Sequence, residues 1–129
     1  MATVLRTVLA QLNMRVGDID GNIQRILDSS VHALHHQQAD LIVFPELSLC
    51  GYNAQDLLLR DSMQIRIERA LDRLCTALPH KLHVLVGYPW VEHGVRYNCY
   101  AHFHQNKKQT VNKKQFLPSD PTAFGQRYF

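Results

Sequence analysis

The chain is predicted to be an α/β fold, a mixed sheet with helices on one face. Three patterns predict it. An apolar run at 4–12, a helical stripe after Asn22 and an apolar run at 41–44 fit strand, helix, strand within about forty residues, a right-handed βαβ unit. A second amphipathic stretch at 61–78 is followed by another apolar run, 83–88. From Val95 the pattern alternates, with Tyr97, Cys99, Ala101 and Phe103 on one side and Asn98, Tyr100, His102 and His104 on the other. That alternation predicts a hairpin added to a parallel sheet.

In order, 4–12 is the first buried strand, and 17–21, GDIDG, is turn chemistry with Asp18 or Asp20 as helix cap. The first helix carries apolar residues at 23, 26, 27, 31 and 34. Leu41 to Phe44 is a buried strand that Pro45 ends, because proline has no N–H for a ladder. The segment 50–59 is a loop with one helical turn at 56–59. The second helix, 61–78, has a stripe of Ile67, Leu71, Leu74, Cys75 and Leu78 and stops at Pro79. Asp61 and Gln64 have capping-box spacing. The hairpin turn is placed at 105–108 and its second strand at 109–113.

The 129 residues suffice for one core, and 46% hydrophobic with 19% charged residues describes a globular chain rather than a disordered one. The net charge of +3 is mild; Lys107, Lys108, Lys113 and Lys114 surround one short turn, which reads as a solvated hairpin and not as a nucleic-acid surface. Cys50, Cys75 and Cys99 form no CxxC motif and no disulfide framework, which suits a reducing cytoplasm. His35–His36 and His102/His104 match no zinc pattern, so no metal is expected and solvated histidines are. No stretch reaches the roughly 20 apolar residues of a membrane span, and no signal peptide is read at the N-terminus.

One residue stands apart. Glu46 follows the most apolar strand directly, where a carboxylate is costly to ionise unless a partner favours the charge. Such a group caps a loop or carries a proton.

Five segments then carry a resemblance: AQLNMRVGDIDGN (10–22), ADLIVFPELSLCGYNAQDLLLR (39–60), VLVGYPW (84–90), RYNCY (96–100) and KKQFLP (113–118), with RYF at 127–129. In order and spacing they resemble the nitrilase, or carbon–nitrogen hydrolase, superfamily. DLLLR and VGYPW bring the chain closest to the N-terminal glutaminase domains of glutamine-dependent NAD synthetases. The resemblance implies part of a four-layer α-β-β-α sandwich, about half of it, over residues 1–129, with one sheet face left bare. It implies a Glu–Lys–Cys amidase centre with Glu46 as general base and acid and Lys114 as the transition-state stabiliser. Lys113 is the rival, and the K-Q-x-L-P frame favours Lys114. Tyr52 either lines the substrate pocket or packs the loop.

The implied reaction is glutamine hydrolysis, with the ammonia passed to a synthetase domain that amidates deamido-NAD. That domain, with its ATP and Mg, is expected to be absent here, and the glutaminase step needs no cofactor. The family's nucleophilic cysteine falls downstream of the lysine, so none of Cys50, Cys75 and Cys99 is assigned to it and the chain alone is expected to be inactive. At 119–126, SDPTAFGQ departs from the family pattern, with Asp120 where the family has a glutamine-contacting tyrosine. The bare face implies partners, among them a homo-oligomer. Two other readings stay open: a non-catalytic binding or oligomerisation module, and another amidase of the superfamily.

Overall fold

The computed structural model describes residues 3–114. Five strands form one sheet in sequence order: β1 (Thr7–Leu9), β2 (Leu41–Val43), β3 (His83–Glu92), β4 (Val95–His104) and β5 (Lys107–Lys113). β1, β2 and β3 are parallel, and β4 and β5 add antiparallel to them. Helix α1 (Ile19–His36) joins β1 to β2, and α2 (Asp61–Ala77) joins β2 to β3 after a short 3-10 helix, Gln55–Leu59. The sheet is mixed, as predicted.

Both helices bury apolar stripes. α1 contributes Ile19, Ile23, Ile26 and Ala33, and α2 contributes Met63, Ile67, Leu71 and Leu74. They share one core with Ile42, Val84, Val86, Cys99, Ala101 and Phe103 from the sheet. Each buried aliphatic side chain contributes about 1.5–3 kcal/mol relative to exposure. The period-2 alternation of β3 and β4 thus sets one face against the helices.

Several expectations are corrected. β1 is Thr7–Leu9 and not 4–12; Val4 and Leu5 are exposed. α1 starts earlier than Asn22, with Asp18 as its cap: the side chain accepts from the Gly21 N–H at 3.0 Å, while Asp20 lies in the first turn. The stripe is rotated, so Ser30 and Ala33 are buried while Val31 is exposed. The capping box at Asp61 does not form. Gln64 instead accepts from the Val91 N–H at 3.1 Å and donates to Glu68, a contact that ties α2 to β3. Both hairpin turns are two residues long with positive φ throughout: His93 and Gly94 at 51° and 76°, Gln105 and Asn106 at 52° and 56°. These are the turns that match strand twist, and they lengthen β3 to Glu92 and start β5 at Lys107.

The opposite sheet face is open among the described residues. Register places Leu9, Val43, Leu85 and His102 in one row across it. Leu5, Leu41, His83, Leu85, His102 and Asn112 line a shallow depression of about 440 Å³ there. His102 and His104 are not simply solvated. His83 Nδ1 lies 2.8 Å from His102 Nε2, and the His83 ring stacks on His104 with centroids 3.6 Å apart. His35 and His36 are exposed on α1.

Partial burial, and then the imidazoles of His104 and His102, hold the His83 pKa below its ordinary 6.5, while Asp40 opposes the shift. The unfolded chain therefore takes this proton more readily, and stability falls as pH drops from the ordinary value through the lowered one. The melting temperature should accordingly be lower at about pH 5.5 than at about pH 7.5. His83→Gln should shrink that difference; an undiminished difference would contradict the cluster's role.

Candidate functional site

Pro45 to Cys50 form the turn that leaves β2, and this turn is seated on β3. Phe44 N–H donates to Leu85 C=O at 2.9 Å and Leu49 N–H to Gly87 C=O at 3.1 Å. The Ser48 hydroxyl donates to Gly87 C=O at 3.3 Å and accepts from Gly87 N–H at 3.2 Å. The turn lies so close that a Cβ at Gly87 would stand 2.6 Å from the Leu47 nitrogen and 2.8 Å from the Pro45 oxygen. Leu47 holds φ at 53°, a left-handed conformation uncommon for leucine. It is tolerated because Leu47, Ser48, Leu49 and Cys50 are all buried around it.

A second clamp comes from α1. Buried Asn22 accepts from the Arg15 N–H at 2.9 Å and donates to Arg15 C=O at 2.8 Å and Leu49 C=O at 3.0 Å. The β1–α1 connection is thereby fixed to the turn that carries Glu46.

Strand parity sends the two lysines to different carboxylates. Lys113 pairs with Cys99 in the β4–β5 ladder. Its ammonium contacts Glu92 and sits over the Tyr97 ring, 4.3 Å from the centroid. The Lys113 hydrogen bond, then its charge, holds the Glu92 carboxyl below the usual range. Lys114 is one residue on and turns the other way. Its Nζ donates to Glu46 Oε1 at 2.8 Å.

Asn98 completes the cluster. Its Nδ2 donates to the same Oε1 at 2.5 Å, and its backbone carbonyl accepts from the Lys114 N–H at 2.8 Å. The Tyr100 hydroxyl donates to Phe44 C=O at 3.3 Å. Burial and then the Glu46 charge raise the Tyr100 pKa, so at neutral pH the phenol stays a neutral donor. Glu46 is not deeply buried: its side chain is 35% exposed. Its charge is met by an ammonium and an amide and also reaches solvent, so the desolvation expected from the apolar run ahead of it is relieved.

No thiol occupies this cluster. Cys50 is buried in the turn with its Sγ 3.7 Å from the Leu47 and Gly51 carbonyl oxygens, and burial pushes its pKa up to about 12. Cys99 lies in the helix-covered face, and burial raises it to about 11. Cys75 is half-buried on α2. Thiols kept protonated at neutral pH are poor nucleophiles. Tyr52 is 57% exposed on the loop. Among the described residues no group of three or more His, Cys, Asp or Glu is placed to hold a metal ion. The divergent segment at 119–126, with Asp120, lies outside the described residues.

Asn98, Gly87, Ser48 and Asn22 went unnoticed in the sequence as site-forming residues. Asn98 had a signal, since it stands in the YN pair of the RYNCY element. The other three act through backbone approach and carbonyl contacts.

The sequence matches the carbon–nitrogen hydrolase family over residues 6–128. It is 37% identical over 127 residues to a glutamine-dependent NAD(+) synthetase of Aquifex aeolicus, covering 98% of this chain and 22% of that protein. The fold superposes on the glutamine-dependent NAD+ synthetase of Acinetobacter baumannii with a TM-score of 0.88 at 35% identity, over 97% of this chain and 23% of that one. An amidase from Nesterenkonia sp. shares the fold, with a TM-score of 0.80 at 19% identity over 98% of this chain and 49% of that one. The chain thus spans less than a quarter of the length of these synthetases.

Two outcomes follow from this packing. Gly87→Ala should destabilise the protein by about 1–3 kcal/mol, because backbone and not a flexible side chain meets the added methyl; chemical denaturation showing no loss would mean that the turn is not seated as described. Under native conditions near neutral pH, iodoacetamide should modify Cys75 well before Cys50 or Cys99. Peptide mapping with Cys50 labelled first would contradict the burial of the turn.

Proposed function

We propose, on the premise that the chain belongs to the carbon–nitrogen hydrolase family, that it contributes the acid–base residue and the lysine of a glutamine-hydrolysing centre. In this reading Glu46 takes the proton of a cysteine thiol as the sulfur attacks the side-chain amide carbon of glutamine. Lys114 offsets the negative charge that develops on the carbonyl oxygen. Collapse breaks the C–N bond, and Glu46 returns the proton to the leaving nitrogen, which departs as ammonia. Glu46 then removes a proton from water as its oxygen attacks the thioester; collapse breaks the C–S bond, and Glu46 returns that proton to the sulfur, releasing glutamate and the thiol. The whole sequence runs on side-chain proton transfer.

The observation that carries this reading is the 2.8 Å contact between Lys114 Nζ and Glu46 Oε1, two residues 68 positions apart. The amide substrate is drawn from the relatives, whose names describe glutamine-dependent NAD(+) synthetases. On that basis the ammonia serves the ATP-dependent amidation of deamido-NAD. ATP and Mg belong to that later step, and no residue of this chain is assigned to them. None of Cys50, Cys75 and Cys99 is assigned as the nucleophilic thiol: Cys50 and Cys99 are buried away from the cluster, and Cys75 lies on α2. Of its two readings, lining the substrate pocket or packing the loop, Tyr52 is taken here as a pocket-lining residue, on its exposure and its place after Glu46.

No helix among the described residues is long and apolar enough to cross a membrane. With three cysteines outside any disulfide, we place the protein in the cytoplasm. The open sheet face favours a second reading, a non-catalytic module that binds a partner or another copy through Leu9, Val43 and Leu85. Another amidase of the superfamily is distinguished by a panel of amide substrates.

Ammonia release from glutamine tests the proposal. The 129-residue chain should release none, and the intact gene product that contains it should turn over. There, Glu46→Gln and Lys114→Met should each lower kcat by about 10²–10⁴-fold. Turnover by the short chain would contradict the missing thiol, and full activity of Glu46→Gln would contradict the assignment of the base. Absence of turnover in the intact protein would favour the binding module.

A further inference from the structure

Resting on the reading of Glu46 as the proton carrier, we propose that Asn98 is the positioning residue of this centre and that it leaves Glu46 Oε2 as the oxygen that carries the proton. Three contacts lead to this. Asn98 Nδ2 donates to Glu46 Oε1 at 2.5 Å, and Lys114 Nζ donates to the same oxygen at 2.8 Å. The Asn98 carbonyl accepts from the Lys114 N–H at 2.8 Å. One residue therefore touches both members of the pair, with its side chain on one and its backbone on the other.

The remaining geometry supports a fixed frame. Asn98 is 5% exposed and lies in β4, opposite Pro89 of β3. Glu46 and Lys114 come from a turn and from the end of an edge strand, and both are partly exposed. A buried amide within the sheet holds a fixed place, and the two partly exposed charges are referred to it. Among the described residues both donors fall on Oε1, and none falls on Oε2. A carboxylate oxygen that already accepts two hydrogen bonds is a poor proton acceptor. The free oxygen is the better one, and Asn98 keeps the two from exchanging.

The residue type matters. An amide gives a donor without a charge, so Lys114 remains the one cation on the carboxylate. Two carboxylates sharing that place would repel when both are ionised, and one would hold a proton to higher pH. The titratable groups facing Asn98 are Glu46 from the turn, Lys114 after β5 and the raised phenol of Tyr100 on its own strand.

The test uses the intact gene product and two substitutions. Asn98→Leu keeps the volume and removes the donor; kcat for glutamine should fall about 10–100-fold while KM changes little. Asn98→Asp should move the acid limb of the kcat/KM profile to higher pH, because the introduced carboxylate opposes ionisation of Glu46. Parent-like kcat in the first variant, or an unmoved acid limb in the second, would overturn the proposal. If Asn98→Leu fails to fold, the pH profile of Asn98→Asp decides alone. Should the intact protein lack glutaminase activity, the proposed function fails separately. Carbon-13 titration of the Glu46 carboxyl still reads the contact: a midpoint raised in Asn98→Asp supports the positioning role, and an unchanged midpoint refutes it.

Discussion

The ammonium of Lys114 on Glu46 Oε1 is the contact around which the chain is arranged. It closes a loop of 68 residues. It exists because β2, β3, β4 and β5 are neighbours in sequence order, so the exit of β2 and the end of β5 meet over the same end of the sheet. Loop closure of that length is costly in entropy. The ladders of β3 with β4 and of β4 with β5 offset that cost, and the exposed ion pair itself adds little to stability.

Between these ends, β3 acts as the template. It pairs with β2 as far as Leu85 and then offers Gly87 to the turn that carries Glu46. The missing side chain at Gly87 lets that turn approach; Ser48 within the turn ties it to the sheet, and Asn22 ties it to α1. Beyond Gly87, β3 pairs with β4 past Asn98, which faces Glu46. A carboxylate on a loop is thus held nearly as firmly as one on a strand. That is the condition for the proton-carrying role proposed for it.

Much of this was legible from residue pattern. Apolar runs and helical stripes located every major element, and the alternation of 95–104 separated Cys99, Ala101 and Phe103 from Asn98, Tyr100 and His102. That parity also determines why Lys113 and Lys114 diverge: neighbours on a strand face opposite ways. What was missed has physical causes. Val4 and Leu5 are apolar, but their place lies beyond the edge of the ladder, so pattern alone extended β1 too far. Gln64 has capping spacing, yet the Val91 N–H competes for its oxygen. Glu46 follows an apolar strand, but the strand ends at the solvent boundary. The Asn98 contact joins positions 52 residues apart, which no local period encodes.

The claim that Glu46 and Lys114 work as one unit is tested most directly by a double-mutant cycle on kcat/KM for glutamine in the intact gene product. If they share one transition state, Glu46→Gln combined with Lys114→Met should lose little more than the worse single variant. Losses that multiply, as for independent sites, would contradict the account.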